Sequence, residues 1–203
     1  MLDTAAEATT WTCWAVTGLV WAAGALPARR APAVAERAGR DIASTAAGIA
    51  AAVILLSPAP WWQPLTTRAA WVPVAGLVLV LPATAWAIGA RIALGSMWAS
   101  GAVARRDHQL RTGGPYRVTR HPVYTGILGM LAGTALALGL GRWMPLTAVV
   151  ALILLAKARA EERLLAAAFP REYEDYARKV PMILPGPGGR RHTAGGSTDG
   201  RGR

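Results

Sequence analysis

The chain has 203 residues, of which 53% are hydrophobic and only 16% are charged, and its formal net charge is +11. Cys13 is its only cysteine, which excludes an internal disulfide and a cysteine-rich zinc site. The positive charge does not indicate nucleic-acid binding, because the Lys and Arg residues flank apolar segments and fill the C-terminal tail. That distribution is typical of membrane proteins that contact anionic head groups.

Apolar segments of nearly membrane-spanning length follow one another along the chain, since a helix needs roughly 20 apolar residues to cross a bilayer. They cover residues 11–26, 42–56, 71–94, 123–140 and 143–156. Trp61 and Trp62, after the second segment, are expected at the membrane interface, and Pro82 is expected to kink the third segment. We therefore predict an all-α polytopic membrane protein with about five transmembrane helices.

The last two segments are separated only by Gly141 and Arg142, so they are predicted to form a tight antiparallel helical hairpin. Small residues recur three or four apart on the fourth segment, a spacing that lets a neighbouring backbone approach closely. We interpret these as packing residues: Gly126, Gly129, Gly133 and Ala137. A short amphipathic cytoplasmic helix is predicted after the fifth segment.

The distribution of basic residues predicts the orientation of the chain. All but two of the 22 Lys and Arg residues lie on one side of this topology, and the exceptions are Arg68 and Arg142. The positive-inside rule then places the N-terminus outside and the C-terminus in the cytoplasm. This arrangement requires an odd number of spans, in agreement with the helix count. We expect a multi-pass protein of the inner (plasma) membrane.

Polar residues able to carry chemistry concentrate in two stretches at the predicted cytoplasmic edge. The first stretch, residues 107–126, bends sharply at consecutive Gly and Pro residues. The second stretch supplies Glu161 and Glu162, which are not favoured as membrane anchors. The candidate site residues that follow the bend in the first stretch are Tyr116, Arg120, His121, Pro122 and Tyr124.

A tight link between the last two spans makes their cytoplasmic ends neighbours. Arg120, His121 and Tyr124 are therefore predicted to lie near Glu161 and Glu162. Adjacent helical residues point about 100° apart, so only one of the two glutamates is expected to face the neighbouring helix. Which of them does so is left open. The prediction is a polar pocket at the membrane edge, built from both stretches.

These two stretches resemble the signatures of a known family. The segment GPYRVTRHPVYTG at 114–126 resembles the GPYxxxRHPxYxG signature of the isoprenylcysteine carboxyl methyltransferases and related phospholipid methyltransferases. The segment EERLLAAAFPREYEDYARKVPMILP at 161–185 resembles the ending of the same family. Upstream, Leu94-Gly95 with Trp98-Ala99 resembles the LGxxWS element of that family, with Ala99 in place of Ser.

The resemblance implies binding of S-adenosylmethionine and methyl transfer to a lipophilic small molecule or lipid. The first expectation is carboxyl O-methylation of an isoprenyl or other lipid-like acceptor. Arg120 and Glu162 are the candidate catalytic residues, and a carboxylate acceptor would need a cation to hold it in apolar surroundings, for which Arg120 is the candidate. No metal or nucleic-acid partner is expected, and the oligomeric state is left open. The residues assigned to the cofactor are His108, Leu110, Tyr116, His121, Pro122, Tyr124, Glu161 and Glu162.

Two alternative functions remain open. An amine acceptor, in a phospholipid or another lipid, has to lose a proton, which would give Glu161, Glu162 or His121 a larger role. Membrane sterol and steroid reductases resemble this helical core and bind NADPH. The Glu-Glu pair and the short polar site favour the methyltransferase.

The predicted organisation has three parts. Residues 1–93 form three N-terminal transmembrane helices without a comparable signature. Residues 94–185 form the core that binds S-adenosylmethionine and contains the last two spans. Residues 186–203 form a basic tail that is predicted to be disordered, because it has no apolar pattern and is rich in Gly and Arg.

Overall fold

The computed structural model describes residues 2–28, 42–67, 69–95 and 110–183, and the regular elements in these ranges are helical. The α-helices are α1 (Leu2–Ala28), α2 (Ile42–Leu56), α3 (Trp71–Leu94), α4 (Pro122–Ala137), α5 (Trp143–Ala168) and α6 (Pro170–Lys179). Short 3-10 helices cover Ala59–Leu65 and Gly114–Arg117. The predicted all-helical architecture is confirmed for these residues.

The helix lengths differ from the predicted spans at particular ends. α2 and α3 begin and end at the predicted residues, whereas α1 begins earlier and α5 continues about three turns past Ala156. An apolar run marks only the part of a helix that is suited to lipid. The extension of α5 is rich in Ala, Glu, Arg and Leu, which are strong helix formers, so the helix continues. This extension carries Glu161 and Glu162.

The closest approach between helices joins α3 and α4 through residues with small side chains. A Cβ placed on Gly126 would lie 2.6 Å from the Ala87 Cβ, and one on Gly133 would lie 2.8 Å from the backbone nitrogen of Val80. Real Cβ atoms essentially never come this close. The missing side chains therefore allow the two backbones to pack directly against each other. The small residues predicted to serve packing on α4 face α3.

α1 packs against α3 and α4. The Trp14 indole N–H donates to the Thr134 hydroxyl, near the end of α4, at 2.9 Å. A Cβ placed on Gly24 would lie 2.8 Å from Cζ of Arg91, at the end of α3. The first half of α1 is therefore level with the end of α4, and its last turns are level with the end of α3.

The connection between α4 and α5 is longer than predicted. Residues 138–142 form it, because α4 ends at Ala137. Residues 139–141 have positive φ angles of 79°, 68° and 52°, a conformation that suits the two glycines among them. The Thr67 N–H donates to the Gly139 carbonyl at 3.0 Å, so the loop before α3 holds this turn. α4 packs more extensively against α3 than against α5.

The two ends of the helical bundle differ in chemistry. At the end where α3 begins, Trp71 starts that helix and the rings of Trp11 and Trp143 lie 5.7 Å apart. At the other end, Arg91 lies in the last turn of α3 and α5 carries Glu161. The candidate site residues therefore lie at the end of the bundle opposite the tryptophans.

Length and composition allow α3 and α5 to cross a membrane. α4 is also apolar but has only 16 residues. This observation concerns the described residues only, and the larger number of spans stays a prediction.

Gly133→Ala should destabilise the protein, because the new methyl group would meet the backbone of Val80 and force α3 and α4 apart. Overpacking of this kind typically costs about 1–3 kcal/mol. The midpoint of thermal unfolding in detergent should therefore fall by several degrees. Gly89→Ala on α3 is the matched control, since a Cβ there meets nothing within 4 Å. Equal effects of the two substitutions would contradict the tight α3–α4 contact.

Candidate active site

The last described residues are fastened to the start of α4 by backbone hydrogen bonds. The N–H groups of Arg120 and His121 donate to the carbonyl oxygens of Pro181 (2.9 Å) and Met182 (3.0 Å). N–H groups at the start of a helix have no partner within that helix. We call residues 180–183 the strap. It satisfies these groups and fixes the polar residues that precede α4.

Arg120 joins three elements through its guanidinium group. Its Nε and Nη2 both lie 2.7 Å from Oε1 of Glu162 on α5. Its Nη1 donates to the carbonyl oxygens of Ala177 (2.8 Å) and Val180 (2.9 Å), at the end of α6. The last carbonyls of a helix lack helical partners and favour a nearby cation. Arg120 therefore ties the start of α4 to α5, α6 and the strap.

His121 lies buried between the two glutamates, with its side chain 7% exposed. Its Nδ1 is 3.5 Å from Oε2 of Glu161, and its Nε2 is 3.5 Å from Oε1 of Glu162. The imidazole stacks on the Tyr124 ring, with centroids 5.4 Å apart, and the Tyr124 hydroxyl donates to Oε1 of Glu161 at 2.5 Å. Within the described residues, Nε2 has no hydrogen-bond partner. This buried imidazole nitrogen can therefore still form a hydrogen bond.

Both glutamates face this cluster, so the expectation that only one of them would do so is wrong. Glu161 contacts Tyr124, Glu162 contacts Arg120, and His121 lies between the two carboxylates. Neighbouring helical residues diverge by about 100°. Tyr124 lies on α4 and Arg120 lies in the segment before it, so the two glutamates are contacted from a helix and from a loop rather than from one helix.

Leu110 and Tyr116 border the cluster from the segment before α4. The Tyr116 carbonyl accepts a hydrogen bond of 2.6 Å from the Tyr176 hydroxyl. Burial raises the pKa of Tyr176 to about 12, so its hydroxyl stays protonated and can donate at neutral pH. Leu110 packs against Tyr173, Tyr176 and Val180. The structure therefore places Leu110 on the apolar face of α6 and not among the charged groups.

The other candidates can be placed as follows. Pro122 is the first residue of α4 and is fully buried. His108 lies outside the described residues, as do Trp98, Ala99 and the basic tail. The residues that the structure brings together, which we call the polar cluster, are Arg120, His121, Tyr124, Glu161 and Glu162.

Three residues at the polar cluster were not singled out from the sequence. The hydroxyls of Thr119 and Thr125 donate to carbonyls of the strap at 2.9 and 2.5 Å, across sequence separations of 63 and 58 residues. No sequence signal identifies such contacts with distant backbone atoms. The Nζ of Lys157 lies 5.8 Å from the centre of the Tyr124 ring. Its position four residues before Glu161 was an available signal, since that spacing puts both on one helix face.

Comparison with known proteins assigns the family. Residues 71–172 match the family model described as Phospholipid methyltransferase. The match covers half of the chain, runs from the start of α3 into α6, and contains the whole polar cluster. The chain belongs to the phospholipid methyltransferase family. This assignment agrees with the resemblance found in the sequence.

Individual relatives carry names from two groups. The cobalt-zinc-cadmium resistance protein CzcN of Cupriavidus metallidurans is 37% identical over 94 residues, which cover 45% of this chain and 43% of that protein. A probable protein-S-isoprenylcysteine O-methyltransferase of Oryza sativa subsp. indica is 40% identical over 84 residues, covering 39% of this chain and 42% of that protein. The chain thus matches less than half the length of these relatives. The second relative confirms the predicted likeness to the isoprenylcysteine methyltransferases.

A solved structure supports the fold. The eukaryotic intramembrane Ras methyltransferase ICMT (isoprenylcysteine carboxyl methyltransferase) aligns with a TM-score of 0.56 and 22% sequence identity. The alignment covers 73% of this chain and 54% of that one. At this identity the likeness concerns the arrangement of the helices alone.

Arg120→Lys should loosen the strap, because a single ammonium cannot reproduce the forked contacts with Glu162 and two carbonyls. Hydrogen bonds to charged groups contribute about 1.5–3 kcal/mol each. Backbone hydrogen exchange in residues 177–183 should therefore accelerate at least about tenfold, the factor that corresponds to 1.4 kcal/mol. Arg117→Lys is the control, since Arg117 is exposed. If both variants exchange like the wild type, Arg120 does not hold the strap.

Proposed function

We propose that this protein is an S-adenosylmethionine-dependent methyltransferase that acts on a lipophilic acceptor at the cytoplasmic edge of the membrane. The preferred reaction is carboxyl O-methylation of an isoprenyl or other lipid-like acid. Membership of the family supports methyl transfer. The observation that carries the proposal is the polar cluster, in which the His121 imidazole lies buried between two carboxylates with one ring nitrogen unbonded within the described residues.

The chemistry of the polar cluster fits S-adenosylmethionine. The ribose hydroxyls and the α-amino group can donate to the carboxylates of Glu161 and Glu162. The α-carboxylate can accept a hydrogen bond from His121 Nε2, the buried atom without a partner in the described part of the chain. The aromatic face of Tyr124 suits the adenine or the sulfonium cation. We propose the same cofactor-binding role for the remaining candidates, His108, Leu110, Tyr116 and Pro122.

The protein's own contribution to the reaction is orientation. When bound, S-adenosylmethionine supplies an electrophilic methyl group, and the electron pair of the broken bond stays on sulfur. In-line displacement depends strongly on alignment of the reactants, which fixed side chains provide. Arg120 and Glu162 are the proposed catalytic pair, and the contacts of Arg120 hold the Glu162 carboxylate in one orientation. A lipid carboxylate is ionised at pH 7 and needs no general base.

Two other reactions compete with this proposal. The family name and the Glu-rich cluster also accommodate N-methylation of a phospholipid amine, for which Glu161, Glu162 or His121 could take the proton. The relative named as an isoprenylcysteine O-methyltransferase favours the acid. NADPH-dependent reduction of a sterol or steroid loses support, because the family match is to methyltransferases.

The proposed function also includes an orientation of the chain in the membrane. Five spans would place the N-terminus outside and the polar cluster at the cytoplasmic face of the inner (plasma) membrane, where the donor is dissolved. The positive-inside distribution of Lys and Arg supports this orientation. The tryptophans at the opposite end of the bundle suit the outer interface. The acceptor would reach the cluster from the bilayer.

Tyr124→Phe and Glu161→Gln should each weaken binding of S-adenosylhomocysteine, the demethylated donor. Tyr124→Phe removes the hydroxyl that holds the Glu161 carboxylate, and Glu161→Gln removes its negative charge and one acceptor oxygen, losses worth about 1–3 kcal/mol. The affinity should fall about 5- to 150-fold in titration calorimetry on the detergent-solubilised protein. Neither residue contacts Arg120 in the structure, so the loss can be separated from loosening of the strap.

Glu172→Gln provides the matched control, because Glu172 lies on the exposed face of α6. Its affinity should equal that of the wild type. Saturable binding of NADPH without any response to S-adenosylmethionine or its product would exclude the proposed enzyme class. Equal affinities in all variants would leave the class intact and move the donor site elsewhere.

Reporter fusions test the orientation. Fusions at about Arg37, Arg106 and Arg190 should report the cytoplasm, and a fusion near Thr66 should report the outside, because Lys and Arg are concentrated on the first side. The same location for Arg106 and Thr66 would mean that the segment between them does not span the membrane.

A further inference from the structure

The charges of the polar cluster change when the donor binds. The polar cluster contains two carboxylates, Glu161 and Glu162, and the Arg120 guanidinium, and the Lys157 ammonium lies beside it. The donor adds one net positive charge, since its sulfonium and ammonium outweigh its carboxylate. An acceptor with one negative charge would restore neutrality at a membrane edge, where uncompensated charge is costly.

Among the described residues near the polar cluster, two guanidinium groups are already engaged by other groups. Arg120 already contacts Glu162 and the carbonyls of Ala177 and Val180 with all three of its guanidinium nitrogens. Arg91 is buried to 5% exposure against Gly24 of α1, and its Nη1 donates to the Gly95 carbonyl. Neither guanidinium can turn to a new anion without giving up contacts inside the protein.

Lys157 differs from both arginines in exposure and position. Its side chain is exposed, and its Nζ lies 5.8 Å from the Tyr124 ring centre. It lies one helical turn before Glu161, about 6 Å closer along α5 to the apolar part of that helix. A long lysine side chain can reach from such a position along the helix surface. Lys157 is therefore next to the polar cluster on the side from which a lipid would enter.

We propose that Lys157 binds the carboxylate of a lipid acid and so selects an anionic acceptor over an amine. This inference rests on the proposed methyltransferase function and names the acceptor class of that site. The Lys157 ammonium attracts the carboxylate of the lipid, while Glu161 and Glu162 bind S-adenosylmethionine. Lys157 would instead repel a cationic lipid, because both carry a positive charge.

The test compares ligands that differ only in the head group. The probes are an S-farnesylated N-acetylcysteine, its methyl ester and S-farnesyl cysteamine, an amine with the same lipid chain. Their affinities are measured by calorimetry in detergent with saturating S-adenosylhomocysteine, which lacks the sulfonium charge, so that the charge tested is that of Lys157. The wild type should prefer the acid to both other probes. Lys157→Met should reduce the preference for acid over ester about tenfold, as expected for loss of one charge-assisted hydrogen bond.

Two variants control for general effects. Lys157→Arg should retain the preference for the acid, and Lys179→Met should not alter it, because Lys179 is exposed on α6. Affinity for S-adenosylhomocysteine should be unchanged in Lys157→Met, which shows that the variant is folded. An unchanged acid preference in that variant, or wild-type protein that binds the amine or ester as well as the acid, would overturn the inference alone. Failure of wild-type protein to bind S-adenosylhomocysteine would overturn the proposed function as well.

Discussion

The geometry of the site depends on the contacts that the Arg120 guanidinium makes. It satisfies one carboxylate oxygen of Glu162 and two carbonyls at the end of α6, and its own backbone N–H holds the strap. The Arg120 and Glu162 side chains are only 13% and 21% exposed, so neither charge can rely on water. Breaking a partly buried pair by removing one partner leaves the other charge uncompensated. The ends of α4, α5 and α6 therefore hold together largely because one cation serves all of them.

The direct packing of α3 on α4 gives this contact a rigid base. Gly126 lies in the first turns of α4, close behind His121 and Tyr124, and its close approach to Ala87 packs the polar start of α4 directly against α3. Interhelical contacts between small residues are stable in lipid because close backbone approach maximises dispersion and leaves no long side chains to order. The packed apolar residues of α3 and α4 thus support the end of the bundle that carries the polar cluster.

The sequence predicts the part of this structure that depends on local pattern. The bounds of α2 and α3 follow from apolar runs flanked by Pro, Trp and basic residues, and the meeting of Arg120 with Glu162 follows from motif and topology. The end of α4 does not, because it depends on three consecutive positive φ angles and on a hydrogen bond from Thr67. The same limit applies to the strap, whose partners are backbone atoms far away in the chain.

Glu161 and Glu162 both face the polar cluster, although the geometry of two packed helices predicts that only one of them would do so. A straight helix presents one stripe to its neighbour, so adjacent residues cannot both face it. Glu161 is contacted by Tyr124 on α4 and Glu162 by Arg120 before α4, and His121 lies between the two carboxylates. A buried imidazole nitrogen with no partner among the described residues costs about 1–3 kcal/mol if water is excluded. Proteins retain such costs mainly at functional sites, where a ligand supplies the missing partner. The unpaired His121 nitrogen is therefore the structural feature that supports the proposed donor-binding role of the polar cluster.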